Sequence, residues 1–99
     1  MSLKKINIAI IGFGEIGHKH FNAINKLKKN YKILAIVDQN FNKQIKVYAK
    51  NKKIKLLKNI ESLFELKNID YAAICLPSGE HYKFIKKTIN NNINVICEK

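Results

Sequence analysis

An apolar, largely β-branched run from Ile6 to Ile11 breaks into Gly12-Phe13-Gly14-Glu15-Ile16-Gly17, and a helical pattern follows at once. No other stretch restricts the fold as much. A strand with no polar alternation needs cover on both faces, which in a small domain means a parallel sheet between two layers of helices. The glycines suit the bend that joins such a strand to its helix. Gly12 permits the tight turn, Gly14 removes a Cβ that would block an approaching pyrophosphate, and Gly17 lets the helix lie close on the strand. The helix start then offers free N–H groups and the positive dipole end to an anion. A plain βα turn with no ligand could use the same glycines, so the reading needs support from elsewhere.

That support comes from the next apolar run, Ile33 to Val37, which ends in Asp38, twenty-one residues after Gly17. A carboxylate at this distance can accept hydrogen bonds from the hydroxyls of an adenosine ribose. It can also serve as a helix cap or a solvated strand end. Taken together, Gly12, Phe13, Gly14, Glu15, Ile16, Gly17 and Asp38 predict a dinucleotide site. The sequence contains no arginine to receive a 2′-phosphate, so the predicted cofactor is NAD rather than NADP.

The rest of the chain continues the alternation. A helix is predicted from Glu15 to about Lys29, with Ile16, His20, Ala23, Ile24 and Leu27 on its inner face and Asn30 as a left-handed stop. The second strand runs Lys32–Val37. Phe41, Ile45, Tyr48 and Ala49 mark a second helix with Asn40 as a possible cap. Ile54–Leu57 reads as a short strand, and Asn59 caps a brief helix burying Ile60, Leu63 and Phe64. A fourth strand covers Tyr71–Leu76. The turn Pro77-Ser78-Gly79-Glu80-His81 opens a helix to about Asn91, with His81, Ile85, Thr88 and Ile89 inward. Asn90-Asn91-Asn92 breaks that helix, and Asn94–Cys97 is the fifth strand. Short connections and right-handed crossovers predict an α/β Rossmann-type fold, a parallel sheet of order 3-2-1-4-5 with helices on both faces. Gly12, Gly14, Asp38, Pro77, Ser78 and Lys99 all fall at strand carboxyl ends, where such sheets bind ligands.

Composition narrows the function classes. At 99 residues the chain holds at most one domain, and 46% hydrophobic residues suit a packed globular one. No apolar run approaches the roughly 20 residues of a membrane span, and no secretory h-region opens the chain, so a cytoplasmic location is expected. Cys75 and Cys97 each close an apolar run and read as buried thiols; with three histidines they give no zinc spacing and no metal site is expected. The net charge of +12 rests entirely on lysine and is spread along every segment. A specific nucleic-acid binder would more often show clustered arginine and exposed aromatics, so none is expected. The charge favours weak, salt-sensitive attraction of anions in general.

Ile69-Asp70-Tyr71-Ala72-Ala73-Ile74-Cys75-Leu76-Pro77-Ser78-Gly79-Glu80-His81, followed by Asn94-Val95-Ile96-Cys97-Glu98-Lys99, resembles the glucose–fructose oxidoreductase / inositol dehydrogenase / rhizopine-catabolism (Gfo/Idh/MocA) family. The likeness runs from about Lys4 to Lys99 and covers only that family's N-terminal cofactor domain. The glycine loop is common to many Rossmann proteins; joined to a Pro-Ser-x-x-His turn and a final Glu-Lys it is far more specific. The resemblance implies that Lys99 is the catalytic lysine of a Glu-Lys-Pro motif, near the nicotinamide and the reacting carbon. It implies that Glu98 supports that lysine and the cofactor, and that Leu76, Pro77, Ser78 and His81 lie beside the nicotinamide ribose. Two departures stand out. Asn92 takes a place where relatives usually carry glycine, and the sequence stops before the motif proline, the sixth strand and the substrate domain.

The implied function is the cofactor domain of an NAD(H)-dependent oxidoreductase acting on a secondary alcohol of a sugar, nucleotide-sugar or cyclitol. Within the family the turn after the fourth strand looks most like nucleotide-sugar 3-dehydrogenases. Residues 1–99 would then be an incomplete dinucleotide-binding domain, inactive alone, with homo-oligomers forming through the missing domain. A stand-alone nucleotide-binding or sensing module, or an inactive fragment, is the non-enzymatic alternative. A Rossmann-like methyltransferase fits the three-glycine fingerprint and the Glu-Lys end less well.

Overall fold

The apolar runs become strands and the amphipathic runs become helices, in the order that the alternation predicts. A computed structural model describes residues 5–12, 14–27, 30–76 and 78–97, with the side chains of 15, 16, 20, 78–81 and 97 left aside. Its elements are β1 (Ile6–Ile11), α1 (Glu15–Lys26), β2 (Tyr31–Val37), α2 (Lys43–Lys52), β3 (Lys55–Leu57), α3 (Ile60–Phe64), β4 (Tyr71–Ile74), α4 (Ser78–Asn90) and β5 (Asn94–Cys97). All strand pairs are parallel, and the sheet order is β3-β2-β1-β4-β5.

Each face of the sheet carries its own apolar cluster. Ala9, Ile11, Ala35, Val37, Ala72 and Ile74 face Ile60 and Leu63 of α3, with Phe84 and Ile85 of α4 packed alongside. Ile10, Ile33, Ile36, Ala73 and Cys75 face Phe21 of α1 and Ile45 of α2. Strand residues thus alternate between two helical layers, which is why the runs need no polar positions. The alternation slips once. Ile8 pairs with Ile33 but Ala9 pairs with Ala35, so Leu34 is an extra residue in β2, and Leu34 and Ala35 both lean toward the α3–α4 layer.

Several local expectations need correction. On α1 Gly17 and Phe21 are buried and Ile24 is half-buried against the core as expected, whereas Ala23 is exposed and Leu27 is 53% exposed. Gly17 brings the helix in on its own side, and the ring of Phe21, one turn later, fills the space against Tyr48 at 5.3 Å between centroids. The helix ends at Lys26 with Leu27 as its cap. The cap of α2 is Asn42, whose side chain accepts the Ile45 amide at 2.9 Å, and not Asn40. On α4, Ile89 is 56% exposed, and the inward positions are Phe84, Ile85 and the fully buried Thr88. The Thr88 hydroxyl donates to the Phe84 carbonyl at 2.7 Å, so its burial leaves nothing unpaired.

Other expectations hold. Asn59 caps α3 by accepting the Ser62 amide at 2.9 Å. Asn92 ends the α4 connection at φ 61°, the left-handed region that asparagine tolerates and glycine prefers. Cys75 is buried, with its Sγ 3.8 Å from the Ala73 carbonyl oxygen.

Candidate functional site

β1 delivers Gly12 to the carboxyl edge of the sheet, between the ends of β2 and β4. Its amide donates to the Val37 carbonyl at 2.7 Å, and one residue earlier the Ile11 carbonyl accepts the Cys75 amide at 2.8 Å. Both neighbours therefore grip the bend. Gly12 has φ +91°, and a Cβ there would lie 2.9 Å from Leu76 Cδ2 and 3.0 Å from the Cys75 carbonyl oxygen. Glycine is required at this point by the fold itself.

Gly14 is different. It is the N-cap of α1, it is exposed, and its carbonyl accepts the His18 amide at 3.0 Å to start the helix. A Cβ at Gly14 would have no atom within 4 Å. Among the described residues nothing packs where that side chain would go, directly beside the start of a 12-residue helix. Its N-cap is a glycine with no side chain to bond the first amides, and those amides together with the helix dipole suit a diphosphate. Gly17 is buried on the sheet side of α1, as close helix–strand packing asks.

Asp38 follows β2 at the same edge. Its amide donates to the Leu57 carbonyl at 3.0 Å, which closes the last rung of the β2–β3 ladder, at Val37 and Leu57. Its carboxylate Oδ1 accepts the Gln39 amide at 2.6 Å and lies 3.5 Å from the Asn40 amide, too long for a strong bond. Asp38 shapes its own loop and is not a helix cap, since Asn42 does that work for α2. Asp38 also borders a cavity of about 380 Å³, of a size that takes a small ligand. Ile11, Val37 and Leu76 give this cavity apolar surface from three strand ends, and Phe84 of α4 adds an aromatic ring. Lys58 and Glu61 line it beside α3, and Lys83 and Lys87 line it from α4. Lys87 Nζ reaches Glu61 Oε1 at 3.3 Å and ties α4 to α3. The backbone amide of Glu61, and then the Lys87 ammonium, hold the Glu61 carboxyl below its usual range.

Gly12, Gly14, Asp38 and Leu76 thus share one edge, and Asp38 and Leu76 line one cavity. These residues fit a dinucleotide, with an open N-terminus for its phosphates and a carboxylate-rimmed hollow for a nucleoside. Of Glu15, Ile16, Ser78 and His81 the helical backbone alone is described: the first two open α1 and the others open α4. Phe13, Pro77, Glu98 and Lys99 lie outside the described residues. The sequence reading missed Lys58, Glu61, Lys83, Phe84 and Lys87. Lys58 directly follows the third strand and was open to the same edge argument as Asp38. The α4 lysines carried no signal that separated them from the rest of the nineteen. Among the described residues no group of three or more His, Cys, Asp or Glu could hold a metal ion, and no helix is long and apolar enough to cross a membrane.

Residues 6–99 match the Gfo/Idh/MocA oxidoreductase family, NAD-binding Rossmann fold. The redox-sensing transcriptional repressor Rex of Clostridium acetobutylicum is 33% identical over 93 residues, which are 94% of this chain and 43% of the repressor. Among solved structures, apo scyllo-inositol dehydrogenase from Lactobacillus casei matches with a TM-score of 0.84 at 25% identity, over 100% of this chain and 29% of the dehydrogenase. The WlbA dehydrogenase from Chromobactrium violaceum, in complex with NADH and UDP-GlcNAcA, matches with a TM-score of 0.86 over 100% of this chain and 28% of its own. At 20% identity the WlbA match speaks for the fold alone. The chain spans less than half the length of each of these relatives.

Proposed function

Since the chain belongs to the Gfo/Idh/MocA oxidoreductase family, with its NAD-binding Rossmann fold, we propose that it is the cofactor domain of a dehydrogenase acting on a secondary alcohol of a sugar, nucleotide-sugar or cyclitol. The observation that carries the reading is Gly14, which has open space where its side chain would go, at a helix start on the same sheet edge as the Asp38 cavity. Bound NAD would supply a nicotinamide carbon that accepts or returns hydride. The protein's residues bind and orient. The amides at the start of α1 hold the diphosphate, with Phe13, Glu15 and Ile16 in the same bend, while Gly12 and Gly17 keep that bend in place. Asp38 accepts the adenosine ribose hydroxyls, and without a nearby arginine it favours NAD over NADP. Leu76, Pro77, Ser78 and His81 border the nicotinamide half. Lys99 donates a hydrogen bond to the substrate hydroxyl and stabilises the alkoxide as it develops, with Glu98 in support.

Substrate contacts would come from a further domain, through which the subunits would also associate. The scyllo-inositol dehydrogenase supports the cyclitol among these substrates. The match to a redox-sensing repressor favours a second reading, in which the domain senses the nucleotide without catalysis. Calorimetric titration with NAD+, followed by assay of the full-length protein against UDP-sugars and inositols, tests both. Binding with NADH production supports the dehydrogenase. Binding with no turnover on any of them favours the sensor, and no binding of NAD+ or NADH removes both.

A further inference from the structure

A second cavity, of about 340 Å³, lies at the opposite edge of the sheet, where β2 begins and where α1 and α2 end. The proposed function leaves it without an occupant. Ile33 and Ile54 give it apolar surface, while Lys5, Lys32 and Lys52 line it from three segments: before β1, in β2 and at the end of α2. Among the described residues no carboxylate lines it, and none of the three lysines is in a salt bridge. The carboxyl ends of α1 and α2 point to this edge, and their dipoles work against an anion there. Last-turn lysines, Lys26 on α1 and Lys50 and Lys52 on α2, offset that field. The end carbonyls of Leu27 and Ala49 are already bonded, to the Tyr31 amide at 3.1 Å and the Ile54 amide at 2.8 Å. The polar wall has bonds to spare. Tyr48 packs edge-on against Phe21 at 5.3 Å, which fixes its ring, and its hydroxyl accepts the Asn25 side-chain amide at 2.8 Å. That leaves the Tyr48 hydroxyl proton and the Asn25 Oδ1 without a partner among the described residues, and the Tyr31 hydroxyl is in the same position. All three side chains line the cavity. Three cations, two phenol donors and an amide acceptor over an apolar floor suit a hydroxylated ring that carries a phosphate.

We propose that this cavity binds a phosphorylated sugar, its phosphate among Lys5, Lys32 and Lys52 and its hydroxyls on Asn25, Tyr31 and Tyr48. The site is separate from the cofactor cleft. Tyr31, Lys32 and Ile33 line this cavity at the start of β2, whereas Val37 and Asp38 line the other at its end. Sugar phosphate and dinucleotide can therefore be bound together, and the assignment does not rest on the cofactor reading. The net charge of +12 adds long-range attraction for the anion. Because Lys5, Lys32 and Lys52 are exposed, their contribution falls with ionic strength.

Calorimetric titration of the full-length protein with glucose 6-phosphate, with and without saturating NAD+, tests the site. Binding should saturate at low salt, stay within about twofold when NAD+ is present, and weaken as salt rises to about 0.5 M. Lys32→Gln and Lys52→Gln should each weaken it about fourfold, and Tyr48→Phe, which keeps the ring on Phe21, about threefold. Lys46→Gln, on α2 but not lining the cavity, should change it by less than about 1.5-fold. Glucose and inorganic phosphate should each bind at least about tenfold more weakly than the sugar phosphate. The proposal is overturned if glucose 6-phosphate does not bind, or if the cavity variants leave its binding unchanged. It is equally overturned if Lys46→Gln and Lys52→Gln weaken binding alike, or if inorganic phosphate binds as well as the sugar phosphate. If NAD+ does not bind, the cofactor reading falls, and this site is still judged by its own variants.

Discussion

At Gly12 the backbone sits at φ +91°, and a Cβ would press on Leu76 and on the Cys75 carbonyl. At Gly14, two residues on, the same addition would meet no atom within 4 Å. One bend therefore contains two glycines required by different partners. The first is demanded by the protein, because β2 and β4 hold the turn from both sides. The second meets no packing demand among the described residues, which leaves room for a ligand at that helix start. The glycine fingerprint mixes both kinds of position, and the surroundings of each separate them.

Three substitutions press on this contrast. Gly12→Ala should have the largest effect, about 3 kcal/mol of lost stability, since it adds left-handed strain to a backbone clash. A urea midpoint that hardly moves would mean that the bend is looser than its hydrogen bonds indicate. Gly14→Ala should leave the urea midpoint within about 0.5 kcal/mol of the parent yet weaken NAD+ binding tenfold or more, about 1.4 kcal/mol. Equal losses of stability and affinity there would erase the distinction. The smallest effect concerns the rim of the neighbouring cavity. Glu61 has a lowered carboxyl pKa in the folded chain, so its contact with Lys87 contributes above the unfolded carboxylate value and fades as pH falls through the lowered one. Lys87→Ala should return the Glu61 titration, followed by NMR, part of the way toward the ordinary range. The remaining depression comes from the backbone amide, the larger cause.

The strands were legible because an uninterrupted apolar run has few other uses in so short a chain. The bounds of β1 and β5 and the order of the sheet follow from that and from crossover handedness. Caps were legible where one asparagine stood alone, as at Asn59, and not where Asn40 and Asn42 competed within one turn. Helix faces were harder. Ala23 and Leu27 look as apolar as Phe21 and Ile24, and only the sheet decides which stripe is pressed inward. At the site, Asp38 could be found because spacing is a one-dimensional property. The partners Lys58 after β3 and Lys83 and Phe84 of α4 converge on it from two separate segments, and nothing in their order along the chain announces that.

The inserted Leu34 has a consequence for the site that lies four residues beyond it. Were Leu34 paired in register and not left over, Ile11 would stand opposite Ile36 instead of Val37, and the acid would close its strand one rung past the glycine bend. Each rung is about 3.3 Å of travel along a strand. A single surplus leucine, half-buried against the α3–α4 layer, thereby sets the height of the Asp38 carboxyl relative to the glycine bend.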